Sequence, residues 1–381
     1  MRWPRLLSTS TFASEGFACS FQTAGRVIIR VRFIALVAAF AFYAPVTVAG
    51  QTPGAGGPAF QAFIFGDVLY QATDADVADG FKLGQTVAHG NATLSENLVF
   101  FGEVSVTARS SGYSLAMERA ILRYEFSDPL KISAGRYHTP ISYWNTEFHH
   151  GMWLQGSVAR PEAIRFGSRY VPVHFVGAMV EGNLTDFPLF YAAGVGNGRS
   201  EGLAGGGDAG DANGQRAAIM TASVRPRSLY GFRVGGAVYF DRITEGGVDL
   251  VNERIASAHI VWDRVSVEAI AEFIHVSHDE LATDATTSSP SWYAHLGYRL
   301  PGSLRSVTPY VRYEDIDIDA QDIVFTGVLA DYEAGIVGVR WDFESFAALK
   351  GEYRGEKIGD ADRANSWFVQ ASFAIPVSGG G

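Results

Sequence analysis

From residue 59 to the C-terminal end, apolar and polar residues alternate in segments of about ten. This is the period of two that a strand imposes by sending successive side chains to opposite faces. In the last segment Trp367, Val369, Ala371, Phe373 and Ile375 share one face. Gln370, Ser372 and Ala374 share the other, with Phe368 the exception. Val265, Val267, Ala269, Ala271 and Phe273 likewise oppose Ser266, Glu268 and Glu272. Ala347, Leu349, Gly351 and Tyr353 oppose Lys350, Glu352 and Arg354.

The segments are joined alternately by short and long connections. Ser127-Asp128-Pro129, Asn183 to Asp186, Arg225 to Ser228, Asp263-Arg264, Pro301 to Ser303 and Asp342 to Ser345 are short and rich in turn formers. Long polar stretches lie near 141–170, 197–214, 242–252, 277–290, 316–330 and 355–365. Between them strands are predicted near 60–70, 82–94, 97–109, 114–126, 130–140, 171–183, 187–196 and 215–225. The second half follows near 231–241, 253–262, 265–276, 291–300, 305–315, 331–341, 346–355 and 366–376. An even count puts both termini on the short-turn rim. In water an apolar sheet face needs a second layer to cover it; in lipid it needs none. The pattern therefore predicts an all-β fold, a transmembrane antiparallel β-barrel of about 16 strands within a range of 14 to 18. Tyr124, Phe126, Tyr239, Phe240, Trp262, Trp341 and Phe343 are the expected interfacial aromatics.

The N-terminus follows a different rule. Arg26, Arg30 and Arg32 precede an unbroken apolar run from Phe33 to Val46, and Thr47-Val48-Ala49 offers small residues for cleavage. A basic region, a short apolar run and a small-residue site define a secretory signal peptide, and the run is too short for a permanent membrane span. The expected organisation is a signal peptide over 1–49, a flexible periplasmic leader over 50–58 and the barrel over 59–381. The 25 residues before Arg26 are foreign to such a peptide and suggest a true translation start near 27–31, at Val27 or Val31.

Composition narrows the chemistry. The 43 glycines and 42 phenylalanines plus tyrosines favour strands and tight turns, and a mean hydropathy of +0.07 suits a wall with one polar and one apolar face. The only cysteine, Cys19, lies in the predicted signal peptide, which removes disulfides, thiolate metal sites and a catalytic cysteine from the exported chain. Five arginines and one glutamate fall in residues 1–49, so of a net charge of -10 the rest carries about -14. Such a chain is a poor partner for nucleic acid.

The stretch Leu130-Lys131-Ile132-Ser133-Ala134-Gly135-Arg136-Tyr137-His138-Thr139-Pro140-Ile141 resembles a segment of the phosphate-selective porin O and P group. In that group a strand ends in a Gly-basic-aromatic-x-Thr-Pro pattern and leads into a long loop. The resemblance implies a bacterial outer-membrane porin: a 16-stranded barrel, assembled as a homotrimer, with an inward loop that narrows the pore. Two departures accompany it. No ladder of lumen arginines and lysines can be assigned, and Phe373 is followed by eight more residues where such barrels end on an aromatic.

The candidate functional residues fall into two sets. The segment from Tyr143 to Tyr170 carries Trp144, Glu147, His149, His150, Arg160, Glu162, Arg165 and Arg169. It is expected either to enter the lumen as a constriction, where opposed charges select solutes, or to pack on itself outside. By parity Arg119, Arg123, Glu268, Glu272, Arg312, Glu314, Lys350, Glu352 and Arg354 face inward, mostly as solvated lumen wall. Both signs occur, so strong ion selectivity is not expected.

Other chemistry fails on its own terms. Asp315-Ile316-Asp317-Ile318-Asp319 lacks the turn glycine and bidentate glutamate of a calcium loop, with Ala320 and Thr326 at those places. His275 to Glu280 reads as loop histidines, and Gly112 to Ala116 is a near miss to a nucleophile elbow. No catalytic, cofactor or metal residue is assigned. The expected function is passive diffusion of small hydrophilic solutes or ions across the outer membrane, with membrane lipid and the solute as partners. The alternatives are a barrel enzyme acting on lipids, a hydrophobic-substrate transporter and a structural barrel.

Overall fold

The computed structural model describes residues 59–377 apart from 149–150, 185–186, 200–201, 204–206 and 212; the expected signal peptide and leader lie outside the described residues. Among them are sixteen strands. The first eight are β1 (Ala59–Thr73), β2 (Gly80–Thr93), β3 (Leu98–Arg109), β4 (Gly112–Ser127), β5 (Leu130–His138), β6 (His174–Leu184), β7 (Leu189–Asn197) and β8 (Ala217–Val224). The others are β9 (Phe232–Glu245), β10 (Val248–Arg264), β11 (Val267–Glu280), β12 (Thr286–Tyr298), β13 (Val307–Ile316), β14 (Tyr332–Glu344), β15 (Ala347–Ile358) and β16 (Ala364–Val377). Each pairs antiparallel with its chain neighbours. β1 closes on β16 from Ala62↔Val377 to Thr73↔Ser366, leaving a barrel without an edge.

Alternation sorts the two surfaces. On β10, Glu253, Ile255, Ser257, His259 and Val261 are buried inside, while Ala256, Ala258, Ile260 and Trp262 are exposed outside. The outer face of β14 carries Val337, Val339, Trp341 and Phe343, all exposed. Outward aromatics form two bands. Tyr70–Phe81, Trp292–Tyr313 and Tyr353–Trp367 pair toward the long-loop rim, and Tyr124–Phe126 and Trp341–Phe343 toward the short-turn rim. Tyr239 is a correction to the expected girdle. It is fully buried on the inner face, with its hydroxyl donating to Asp241 at 2.9 Å, because its neighbour Phe240 takes the outward position.

Three of the six expected long loops are strand. β9 and β10 continue through 242–252 and meet at Gly246-Gly247, whose φ values of 58° and 80° make the two-residue turn that hairpins favour. β11 and β12 likewise fill most of 277–290, and β15 and β16 most of 355–365. Their charged residues pair across strands. Arg242 donates to Asp249 at 3.1 Å, Arg254 to Asp279 at 2.6 Å and Arg363 to Glu333 at 2.8 Å. Charged strand tips rising above an apolar band look like loops in sequence. The truly long connections are 139–173, 198–216 and 317–331.

Gly135 sits where β5 begins to bend toward the first of these. Its φ is +150°, and a Cβ there would lie 1.9 Å from the Ala120 carbonyl oxygen on β4, a backbone atom that cannot retreat. Gly135→Val is expected to lower the unfolding free energy by about 2–4 kcal/mol in a denaturant titration. Gly335→Ala, which meets nothing within 4 Å, should stay within about 1 kcal/mol of the parent.

Candidate functional site

The segment 139–173 runs through the barrel and not over it. Its neck is closed by the Thr139 amide donating to the Val173 carbonyl at 2.8 Å, and Asn145 Nδ2 donates to the Thr139 and Val173 carbonyls, at 2.8 and 3.2 Å. Ser142 caps a one-turn helix, Tyr143–Glu147, which places Trp144 fully out of solvent with its Nε1 donating to Gln155 at 3.2 Å. Arg160 ties the segment to itself, donating to Asn145 Oδ1 at 2.6 Å and to the Ile164 carbonyl at 3.0 Å over the Phe166 ring. Burial pulls this guanidinium below its usual pKa, yet an arginine stays charged at ordinary pH.

The far wall supplies the partners that an irregular backbone lacks. Glu272 on β11 accepts from Ser142 Oγ at 2.9 Å, the Tyr143 amide at 2.8 Å and the Tyr293 hydroxyl at 3.0 Å. Glu352 on β15 accepts from the Val158 amide and the Tyr310 hydroxyl, both at 2.9 Å. Arg312 donates to Ser157 Oγ at 2.6 Å and the Ala159 carbonyl at 2.9 Å. Arg340 bonds the Trp153 and Gln155 carbonyls at 2.6 and 2.9 Å. Lys350 donates to the Ser157 carbonyl at 3.0 Å and to Met152, and Glu314 accepts from the Glu162 amide.

The nine wall residues singled out by parity all stand on the inner face, but most are not solvated wall; Arg119 and Arg123 do line an open cavity. Glu272, Arg312, Glu314, Lys350 and Glu352 are buried by the segment and bonded to it. Arg354 donates to Glu352 at 2.8 Å, and Glu268 lies 3.9 Å from His295. Arg119 pairs with Glu103 at 2.6 Å, and Arg123 with Glu125 at 2.8 Å and Glu181 at 3.1 Å. Parity reads the face of a residue; it cannot see a cover arriving from elsewhere in the chain.

The segment residues separate as well. Trp144 and Arg160 are internal. Glu162 and Arg165 pair at 2.6 and 2.7 Å, and with exposed Arg169 they line a cavity of about 630 Å³ toward the long-loop rim. Glu147 faces Arg225 at 3.6 Å and also meets Arg233. His149 and His150 lie outside the described residues. Because the segment is bonded to β11–β16, space remains on the side of β4–β10. A cavity of about 370 Å³ there is lined by Arg119, Arg123, Glu147, Glu181, Arg225 and Arg233. Sequence reasoning missed two of these arginines. Arg233 shares its inner face with Ala237 and Tyr239 and was readable from parity; Arg225 lies in a turn, where parity does not apply.

A second connection, 317–331, packs over the first. Phe325 is fully buried against Tyr170 and His278, at ring separations of 5.8 and 4.7 Å. Asp322 accepts from the amides of Val324 and Phe325 at 2.9 and 3.0 Å and pairs with His278 Nδ1 at 2.7 Å. His275 to Glu280 is therefore strand and not loop, with His278 turned inward. Burial raises the Asp322 pKa, but the bonds from His278, Phe325 and Val324 outweigh it and hold the carboxyl below its ordinary range. A depressed carboxyl contributes fully above the unfolded value of about 4 and loses that contribution as pH falls through its folded value. Asp322→Ala is expected to speed amide exchange at Val324 and Phe325 by about ten-fold, and acid should loosen the same amides in the parent chain; hydrogen-exchange mass spectrometry reads both.

No protein-family model and no curated protein matches the chain. Solved structures do. The anion-selective porin from Comamonas acidovorans superposes with a TM-score of 0.63 at 10% identity, covering 84% of this chain and 100% of that one. OmpF of Salmonella typhi, in complex with daunomycin, gives 0.58 at 13%, covering 84% and 97%. OmpT of Vibrio cholerae, in its trimer form, gives 0.57 at 14%, covering 84% and 100%. Likeness at such low identity establishes architecture: this chain has the closed sixteen-stranded barrel fold seen in bacterial outer-membrane porins.

Proposed function

We propose that the protein is a porin-like channel of the bacterial outer membrane through which small hydrophilic solutes or ions diffuse passively. The observation that carries this reading is the wall itself, apolar and bare outside, charged within, and crossed by a segment that leaves one side open. An uncovered apolar band suits hydrocarbon, which also demands a barrel with every backbone group paired. The aromatic bands support this. Tyr113 and Tyr124 stand eleven residues apart on β4, about 36 Å of strand, which at a tilt near 45° is roughly 25 Å of height. The likeness to an outer-membrane protein described in its trimer form favours a homotrimer here.

The segment 139–173 is the constriction in this proposal, and the 370 Å³ cavity beside it is the passage. The lining holds four arginines and two carboxylates, Glu147 and Glu181; Glu103 and Glu125, paired to Arg119 and Arg123 outside the lining, offset the other two charges, so selectivity is weak. A lipid-acting enzyme has one observation in its favour: His275 Nε2 lies 2.5 Å from Ser288 Oγ on the outward face. Among the described residues no hydrogen bond to a carboxylate or amide orients that ring, so the pair lacks the third group that makes such a serine a nucleophile. The channel reading is preferred.

Deleting residues 145–160 should raise single-channel conductance in planar bilayers by roughly two-fold or more; an unchanged conductance would remove the segment from the passage. In a tenfold KCl gradient a perfectly selective pore holds about 59 mV, and the parent protein should stay below about a third of that. Glu147→Gln, which takes away the carboxylate shared by Arg225 and Arg233, should move the zero-current potential toward the anion limit.

A further inference from the structure

We propose that Glu118, His138 and His174 form a site for one divalent transition-metal ion of the zinc class, clipping both ends of the lumen segment to β4. The site borders the proposed passage, whose lining includes His138, but it does not depend on the channel reading. His138 is the last residue of β5 and His174 the first of β6, and the two are Cα partners in the ladder. They stand on either side of the neck from which residues 139–173 depart.

Glu118 arrives from a third strand through an irregularity. β3 and β4 shift register between Glu103↔Arg119 and Val104↔Met117, which makes Glu118 the extra residue of the shift. Such a bulge turns two adjacent side chains to one face, and both Glu118 and Arg119 are buried. The three ligand-type atoms all lie within 4.8 Å of one another, with His174 Nε2 at 3.0 Å from Glu118 Oε2. A tetrahedral ion with bonds near 2.0–2.1 Å needs donors about 3.4 Å apart. Shifts of an ångström or so would seat it.

The surroundings suit such an ion. Ser105 Oγ donates to Glu118 Oε1 at 2.5 Å, which orients the carboxylate and leaves Oε2 for the metal. The Phe166 ring lies parallel to His174, with planes 9° and centroids 6.2 Å apart. Glu103 stands 3.9 Å from His138 Nε2 as a second carboxylate. Counting Glu103, Glu118 and Asp208 against Arg119 and Arg136, the local charge is one negative, which a cation relieves. Two imidazoles and one carboxylate are ligands for zinc, nickel or copper, whereas calcium and magnesium take oxygen alone. Three protein donors leave a fourth position to water. Closing a 35-residue segment at its base is also where a clip restricts the chain most.

The test uses the full folded protein in detergent without a histidine tag, dialysed against zinc, with bound metal counted by mass spectrometry and affinity taken from calorimetry. One zinc per chain is expected, and His174→Gln and Glu118→Gln should each weaken binding by at least the roughly 10–100-fold that losing an outer-shell partner costs. Retained heat-modifiable mobility reports that the variants are folded. Cobalt on the parent protein should give the visible absorption of a tetrahedral site, a readout that needs no variant. A hundredfold excess of calcium should not compete. The proposal is overturned if zinc uptake is absent, if cobalt gives no such band, if calcium displaces zinc, or if binding survives both variants and is lost on His149→Gln with His150→Gln instead.

Discussion

Every backbone amide and carbonyl inside this molecule must find a partner, and that constraint organises both the wall and what lies within it. In the wall the ladder meets it by closure, because β16 returns to β1 over twelve paired residues and leaves no strand edge. Inside, the segment 139–173 has one helical turn and a three-residue 3-10 turn, Glu162–Ile164, and little repetitive bonding of its own. Its carbonyls and amides are met instead by long side chains from β11 to β16. Arg312, Arg340 and Lys350 reach carbonyls, and Glu272, Glu314 and Glu352 receive amides. The polar inner face thus acts as a surrogate ladder for a stretch of chain that could not otherwise be dehydrated.

That arrangement has an electrostatic consequence. Burying single charges is expensive, so the cations and anions of the far wall occur close together and each is hydrogen-bonded. Arg312 pairs with Glu314 and Arg354 with Glu352, both at 2.8 Å, while also serving the segment or its neighbours. Charge on that side is spent on structure. Charge that faces open space lies on the other side, between Arg119, Arg123, Arg225 and Arg233 and their carboxylates. The net charge of the chain says little about this balance, because much of the acidic excess sits at the long-loop rim, in Asp74, Asp76, Asp79, Asp315, Asp317, Asp319, Asp331, Asp360 and Asp362.

The strand count and the inner or outer face of most wall residues were legible in sequence, because both follow from local rules. Pro, Gly, Asn and Asp mark the turns, and a period of two marks the faces. The errors have a shared cause. Residues 242–252 look like a loop since Arg242, Asp249 and Asn252 are polar, yet their polarity is directed at one another across β9 and β10. Tyr239 was assigned to the girdle by residue type, although its parity with Arg233 and Ala237 points inward. Glu272 and Lys350 read as solvated wall because their cover comes from residues more than a hundred positions away. The cluster of Glu118, His138 and His174 was invisible for a different reason: the register shift that turns Glu118 inward has no mark in the sequence.

The motif that began the family resemblance can now be read residue by residue as a device for launching the segment. Gly135 permits a backbone geometry that a Cβ would block against Ala120. Arg136 then donates to the Glu118 carbonyl and to Asp208 at 2.5 and 2.8 Å, bracing the end of β5 against β4 and the 198–216 connection. Tyr137 turns inward and bonds Ser133 at 3.0 Å, His138 stands beside His174, and Thr139 closes the neck onto Val173. Several of these residues make a contact within the wall or at its edge. A motif of this kind therefore specifies that a segment enters the barrel and how firmly its base is held. In the proposed channel, selection falls instead to Glu147 and the arginines that line the cavity.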